Sequence, residues 1–318
     1  MVKDLKFAAA KLQTIIGTPV VVDPVTDYVQ FSEFSIDHNS LREKISILSG
    51  KFTSEPSVAG NMNATIKGKV PFCSSGATTR PYCDIVLQSG GFALTEDDTP
   101  TNGSKYIYTR SISSKDFSAG EYLCDALKAI IKNASSIMIN NMKLSIKSGN
   151  VPYLDFSGVG CSYGSGVGAE NTAVVTYPTE NKVEYYIAND VAATVLDTAY
   201  EVCGMEYEFV NKISQKPIMT GLGFGPSQVA GEETKFTASL LLDTSLAVLP
   251  LTRTRASNTP GVLNVTFGSI PGRRVSITTT KAQLETPKDA TQGDLLSSDI
   301  SGEVIDNEIV ITFNSDIT

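Results

Sequence analysis

Apolar and polar residues alternate one by one along several stretches of the chain. Met62, Ala64, Ile66, Gly68 and Val70 are separated by Asn63, Thr65, Lys67 and Lys69, and Phe236, Ala238, Leu240 and Leu242 repeat the pattern. A period of two puts one set of side chains on a buried face of a β-strand and the other on a wet face. Val262–Phe267 and Ile305–Phe313, rich in β-branched and aromatic residues, read as further strands. Turn-forming clusters separate such runs at Ser74–Thr78, Thr95–Gly103, Ser145–Asn150 and Ala256–Gly261. This spacing predicts a mainly β chain built of antiparallel sandwiches or barrels.

Three segments have a helical pattern instead. Val2–Ile15 places Leu5, Ala8, Ala9, Leu12 and Ile15 on one helical face. Ser118–Lys132 opens with Ser118 and has Glu121 three residues on, a capping box. Asn189–Val202 is Ala-rich with an Asn or Asp available as cap. The pattern therefore predicts a few short flanking helices.

The strand pattern also repeats. Ser136–Leu144 aligns without a gap on Ser276–Leu284, with Ser, Ile and Leu coinciding. Upstream of each, Tyr28–Asp37 and Met205–Ile213 are alternating aromatic and polar runs. A period this long implies one domain used twice rather than a solenoid. The expected division is a first domain over 1–160, a linker over 161–172 rich in Gly and Ser, and a second domain over 173–318. The copies differ in length: 103 residues separate Phe34 from Ile137, and 68 separate Phe209 from Ile277. The excess in the first copy falls mostly at 73–119. Two long polar excursions, 41–60 and 221–233, occupy equivalent places. They carry Leu41, Lys44, Lys51, Phe52 and Gly60 in one case, and Gly221, Phe224, Glu232 and Glu233 in the other. Long connections in a compact β-domain tend to reach a neighbour or carry function.

Composition narrows the function. The chain has 318 residues, 41% hydrophobic and 19% charged, which suffices for a core or two. There is one His and no Trp. A single His makes triads, His-rich metal sites and proton shuttles hard to build. His38 follows Asp37, but neighbours on a strand point to opposite faces. Cysteines at 73, 83, 124, 161 and 203 lack metal-ligand spacing. Cys73 and Cys83 flank one loop, which permits pairing without demanding it; buried thiols in a reducing compartment are the default. Gly164–Gly168 has its third Gly one residue early for a dinucleotide fingerprint, and Gly221–Pro226 lacks the Lys-Ser/Thr of a phosphate loop. Asp97-Asp98 and Glu232-Glu233 read as solvated turn charges, too short for a calcium loop. A pair of carboxylates for glycoside hydrolysis is compatible with the sequence, although the absence of Trp argues mildly against a sugar cleft. No cofactor and no metal are expected. Lys6 and Lys11 interrupt the N-terminal apolar residues, which argues against a signal peptide, and no run approaches a membrane helix.

Charge is unevenly spread. Residues 1–159 carry 16 Lys and Arg against 15 Asp and Glu, a net of +1; residues 160–318 carry 10 against 19, a net of −9, and the chain is −8. Such a chain does not bind nucleic acid by phosphate neutralisation. Solubility accounts for the excess in the simplest case, and a surface that lets a polyanion pass is the sharper alternative.

Several loose motifs, taken in order, resemble the tail tube proteins of long-tailed bacteriophages. Ala8–Thr18 is similar to the family's opening, with Gln13 and Ile16 where an acid and an aromatic are usual. Ser148–Gly158 resembles a family strand through Gly149, Pro152, Leu154 and Phe156. Phe267–Ile277 resembles a late strand pair through Gly268, Gly272 and Arg274, and Asp306–Phe313 resembles the last strand. The resemblance implies two tube-type β-barrel or sandwich domains whose sheets join edge to edge into rings, with three chains forming a pseudo-hexamer and rings stacking into a channel for DNA. It implies self-association, contacts with terminator, tape-measure and distal tail proteins, passage of DNA without specific binding, no enzyme activity, and a place in the virion tail after assembly in the host bacterial cytoplasm. On this reading the excursions touch adjacent subunits or rings, and the acidic excess faces the lumen. The competing expectations are another tail, baseplate or decoration protein, and a two-domain adhesin or carbohydrate-binding module with a concave aromatic site.

Overall fold

The computed structural model describes residues 5–44, 57–76, 78–112, 114–124, 129–147, 149–162, 169–171, 191–195, 198–217, 224–241, 260–268, 270–285, 288–292 and 295–316. The fold is mainly β, with antiparallel pairing throughout. The first half contains β1 (Leu5–Leu12), β2 (Tyr28–Val29), β3 (Glu33–Lys44), β4 (Ser57–Pro71), helix α1 (Asp84–Ser89), β5 (Phe92–Asp97), β6 (Lys105–Arg110), β7 (Phe117–Cys124), β8 (Ala129–Lys147) and β9 (Tyr153–Ser162). After β10 (Ala169–Asn171) come β11 (Ala192–Val195), β12 (Thr198–Pro217), β13 (Phe224–Leu241), β14 (Gly261–Phe267), β15 (Val275–Leu284), β16 (Lys288–Gln292), β17 (Leu295–Val304) and β18 (Ile309–Phe313).

In the second half six strands close a ring: β11 pairs with β12, β12 with β13, β13 with β17, β17 with β15, β15 with β14, and β14 with β11. The first half traces the same circuit through β3, β4, β9, β8, β7 and β1. Its closure differs: β2 pairs with β1, and the chain passes through Gln30–Ser32 into β3. Closure removes exposed sheet edges. The repeated sequence lies at one station of this circuit. Ile137 on β8 and Ile277 on β15 are both fully buried, Ile137 opposite Phe117 of β7 and Ile277 opposite Val265 of β14.

The two halves share one sheet and one core. The C-terminal part of β8 pairs with β12 from Lys147↔Gly204 to Asn141↔Val210. The segment between β4 and β7, where the first copy carries its excess, holds α1 and the β5–β6 hairpin; β6 then pairs with β18. The core runs continuously from Ile36, Ile66 and Phe72 in the first half to Tyr207, Phe236 and Phe313 in the second. Phe72 contacts both Phe267 and Phe313, with ring centroids 6.2 and 5.1 Å away.

The three expected helices are strands over most of their described residues, and none of those residues is helical. Ala8, Ala9 and Ala10 of β1 are all buried because both faces of the strand are covered: Ala8 and Ala10 face the main core, and Ala9 packs against Tyr122. Small side chains on both faces look helical in a pattern count, but eight paired positions on β7 override that preference. Ser118–Lys132 is β7 and the start of β8, with residues 125–128 outside the described residues. Glu121 caps no helix: its Oε2 accepts the Ile36 amide at 2.8 Å, and Lys132 Nζ donates to the Ile36 carbonyl at 3.3 Å. The pair thus acts on the edge of β3 as a strand would. Over 189–202, the described residues belong to β11 and β12, with Ala193, Val195 and Tyr200 in the core. The one α-helix among the described residues, α1, stands in the stretch between the Ser74–Thr78 and Thr95–Gly103 turns. Burial of Asp84, which accepts from Tyr108 Oη and Gln88 Nε2 at 2.7 Å each, holds it in place.

The long excursions are also corrected. Residues 41–44 and 57–60 continue the β3–β4 ladder, and 224–233 belong to β13, paired with β12 out to Pro217↔Phe224. In each half the hairpin runs past its neighbouring strands: β4 leaves β9 after Asn63↔Cys161, and β13 leaves β17 after Lys235↔Glu303. Residues 45–56, with Lys51 and Phe52, and 218–223, with Gly221, lie outside the described residues. At the linker, Cys161 and Ser162 end β9, and Ala169–Asn171 pairs with β8.

Candidate functional site: a charge-alternating sheet face

Strands β3, β4, β9, β8, β12, β13 and β17 pair in that order, so one sheet crosses from the first half into the second. Phe34, Phe156, Met142, Leu144, Tyr207, Phe209, Phe236 and Val304 point into the core. Their sequence neighbours therefore lie on the opposite, wet face. One transverse row of that face reads Glu33, Lys69, Asp155, Lys143, Glu208, Lys235 and Glu303, each directly opposite the next. The sign alternates at every step. Opposite charges directly across a ladder support pairing, and like charges oppose it.

The lysines also form ion pairs, diagonally to Glu206, along the strand to Glu233 and straight across to Asp155. Lys143 Nζ is 2.8 Å from Glu206 Oε2, Lys235 Nζ is 2.6 Å from Glu233 Oε1, and Lys69 Nζ is 3.6 Å from Asp155 Oδ1. The hydrogen bond to Glu206 raises the Lys143 pKa, and its counterpart lowers that of Glu206. These pairs are solvent-exposed, so each contributes little to stability. Their effect is on the surface potential. A row in which each lysine has an acid beside it offers no stripe of cations to a phosphate backbone.

Beside this face lies a groove of about 770 Å³ where the first circuit is interrupted at Gln30–Ser32. Phe7, Phe31, Phe34 and Phe156 line it, with Lys67 and Lys143 among its polar residues. Phe31 and Phe34 stack at 4.7 Å.

Behind the sheet lies a buried polar junction that the sequence did not reveal. Arg110 of β6 donates through Nη1 to the Gly90 carbonyl and through Nη2 to Asn211 Oδ1 at 2.7 Å, and its Nε lies 3.6 Å from Glu232 Oε2. Its guanidinium sits 5.1 Å from the Phe92 ring and 5.7 Å from that of Phe209. Asn211 Nδ2 donates to the carbonyls of Gly90 and Ile139 at 2.9 and 2.8 Å. Burial lowers the Arg110 pKa to about 10 and raises that of Glu232 against the pull of Arg110.

The expected contact residues are thus dispersed. Leu41, Lys44 and Gly60 lie on the β3–β4 hairpin and Phe224 begins β13. Glu232 is no solvated turn charge: its side chain is buried beside Arg110, whereas Glu233 is wet. Gly149, at φ +78°, turns the chain from β8 to β9, and Pro152, Leu154 and Phe156 are buried behind it. Gly268 and Gly272 have φ of +112° and +77° in the loop before β15; Asp316 accepts from the Gly272 and Arg274 amides at 2.7 and 3.0 Å, and Arg274 Nε donates to the Gly268 carbonyl at 3.2 Å. These motif residues shape turns rather than a ligand site.

His38 is half-buried, which lowers its pKa. Cys73, Cys83 and Cys161 are buried free thiols, and burial pushes Cys73 up to about 12. Among the described residues no group of three or more His, Cys, Asp or Glu side chains is placed to hold a metal ion, and no helix is long and apolar enough to cross a membrane. No known family's model matches the chain, and no curated protein matches it.

Proposed function

We propose that this chain is a structural subunit that assembles with copies of itself into stacked rings, forming the tail tube of a long-tailed bacteriophage. The observation that carries the reading is the doubled circuit. A closed six-strand ring and an open six-strand circuit of the same strand order are fused through β8 and β12 into one continuous sheet. A chain that doubles a ring-forming unit supplies two of six positions, so three chains close a pseudo-six-fold ring. The charge-alternating face lines the channel in this reading. Its row carries acids at Glu33, Asp155, Glu208 and Glu303 against lysines at 69, 143 and 235, so DNA finds no basic track on it. The chain's role is mechanical, a rigid conduit with no turnover. The β3–β4 and β12–β13 hairpins, which run past the sheet in both halves, serve as contacts between rings or subunits.

Electron microscopy of the purified protein tests this. Rings or filaments with three-fold symmetry in projection are expected. A monomer that sediments independently of concentration overturns the proposal and favours a binding module, for which the Phe7–Phe31 groove would be the site.

A further inference from the structure

The sheet that spans both halves has two open edges, and the junction inside the chain shows how such edges join. There Asn141–Lys147 of β8 pairs antiparallel with Gly204–Val210 of β12. The repeat gives each of these strands a twin. β15 is the twin of β8. Gln283 is exposed between core-packed Ala282 and Leu284, as Lys143 is between Met142 and Leu144, and it lies opposite Glu303 as Lys143 lies opposite Asp155. β3 is the twin of β12, with Glu33 opposite Lys69 as Glu208 is opposite Lys235.

Within one chain these twins do not meet. Among the described residues β3 pairs with β4 alone, and the end of β15, past Gly261↔Ala282, pairs with β17 alone. The Ile36 amide faces the free side of β3, where Glu121 accepts it, so the Phe34 backbone faces that side too. Asn211 marks the same station on β12: its Nδ2 donates to the Ile139 carbonyl just beyond the last pair, Asn141↔Val210. The open stretch of β3 is therefore Phe31–Ser35, and the groove beside Lys6–Ala8 runs along it. On β15 the Glu285 amide donates to the Ser301 carbonyl of β17 at 2.8 Å, so the Leu284 N–H and C=O face outward. Unpaired edges of this kind take up an added strand.

Resting on the assembly reading above, we infer that the end of β15 in one copy of the chain adds antiparallel to Phe31–Ser35 of β3 in the next, in the register of the β8–β12 junction. Gln283 then stands opposite Glu33, and Ala282 opposite Phe34. The side chains suit that register. Inside the chain Asn141 Nδ2 donates to Glu208 at 3.0 Å. Lys281 holds the place of Asn141, and Glu33 that of Glu208, so an ammonium meets a carboxylate across the contact. Lys281 already holds Asp306 and Glu308 at 3.0 and 2.6 Å, and its three donors leave one for Glu33. Gln283, where β8 has Lys143, sets a neutral donor between Glu303 and Glu33, and the charged row runs on from one copy into the next. The two edges differ, so the contact is heterologous, the kind that closes rings or grows filaments.

The test is a cross-link in the full chain. The Glu33 and Gln283 backbones face β4 and β17, so the two form a non-hydrogen-bonded pair with Cα atoms ~4.5 Å apart, within disulfide range. Glu33→Cys with Gln283→Cys, both at exposed positions, is treated with diamide, which takes up the two electrons and two protons that the thiols lose. Dimers and longer multimers are expected on a non-reducing gel, collapsing to monomer on reduction. The wild type and each single variant should stay monomeric on that gel. Asp155→Cys with Gln283→Cys, two strands in from the edge, should do the same. A double variant that sediments like the wild type yet gives no multimers overturns the edge pairing and leaves the assembly reading intact. Equal yields from the Glu33 and Asp155 pairs, or a link closed within one chain, overturn it as well. Leu284→Pro is the second arm. It removes the outward N–H, a change that edge strands tolerate, and should keep the wild-type melt while losing assembly by sedimentation velocity. A Leu284→Pro chain that assembles like the wild type overturns the pairing. A wild type that is monomeric at all concentrations overturns both readings.

Discussion

Gly68 on β4 lies directly opposite Phe156 on β9, and the Phe156 ring occupies the space a side chain at 68 would need. A Cβ there would stand 2.4 Å from Phe156 Cζ. The second half has the same pair with the strands exchanged: Phe236 on β13 is opposite Gly302 on β17, where a Cβ would stand 2.7 Å from Phe236 Cζ and 2.2 Å from the Gln283 carbonyl oxygen. The expected ranking follows from what can move. Gly68→Ala displaces a ring packed against Phe31 and Phe34 and should cost ~1–3 kcal/mol, the usual range for overpacking. Gly302→Ala meets backbone more closely, 2.2 Å against 3.0 Å to the Glu33 carbonyl oxygen at Gly68, and should cost more than Gly68→Ala. Urea unfolding of the two variants checks the order, and equal midpoints would contradict it.

The Arg110–Glu232 contact makes an asymmetric prediction. Arg110 holds two further hydrogen bonds and two aromatic contacts, so it remains partnered when Glu232 is replaced. Removing Arg110 instead strands Glu232 and the Asn211 oxygen in the interior. Arg110→Met should therefore cost ~3–5 kcal/mol, and Glu232→Gln should stay within ~1 kcal/mol of the wild type at neutral pH. The pH dependence has a definite sign. Burial raises the folded-state pKa of Glu232, so its contribution is fully present below the unfolded-state value and is lost as pH rises through the folded-state value. Stability of the wild type relative to Glu232→Gln should thus decline with rising pH across that window, and chemical denaturation at a series of pH values reads it directly.

Strand identity was legible where one face is wet, except that Ile305–Asn307, read as the start of the last strand, form a 3-10 turn ahead of β18. Ala64, Ile66 and Val70 are buried and Lys67 is exposed, as the alternation at 62–70 predicts. The reading failed where burial is two-sided, as in β1, and where small residues mimic an amphipathic helix, as in β7 and β11. The pairing of Ser136–Leu144 with Ser276–Leu284 was visible because Ile137 and Ile277 meet the same core demand at the same station. The charged row was not visible. Its members come from seven strands spread between residues 33 and 303, and only the registers bring them into line. Glu232 likewise read as a solvated turn charge, because nothing local marks a residue whose buried partner, Arg110, stands 122 positions away.

Thiol reactivity should divide by burial. Cys73 and Cys83 are fully buried, and loss of solvation holds both thiols protonated, Cys73 up to about 12. The thiolate is the reactive species. At pH 8 iodoacetamide should leave both unmodified in the folded protein and label the half-buried Cys203 ahead of them. Peptide mass spectrometry before and after addition of urea distinguishes this from uniform labelling.

The charge row carries a prediction about passage of DNA. In the proposed tube, the alternation from Glu33 to Glu303 keeps any lysine within reach of an acid, so a duplex gains no net counterion release on this face. Replacing Glu206, Glu208 and Glu303 by Lys leaves Asp155 and Glu233 as the acids beside Lys143 and Lys235 and joins the bases of β8, β12, β13 and β17 into a stripe. The triple variant pays little in folding, because these are exposed positions, each worth ~0.2–1 kcal/mol. Repulsion between the new lysines and Lys143 and Lys235 should appear as a lower melting temperature at low salt that recovers as salt is added. Assembled particles of the variant should retain linear duplex DNA in a filter-binding assay, with retention falling steeply between 50 and 200 mM salt in the manner of ~6–10 phosphate contacts. Wild-type particles should retain none under the same conditions. Retention by the wild type, or its absence from a variant that still assembles, would place this face away from the channel.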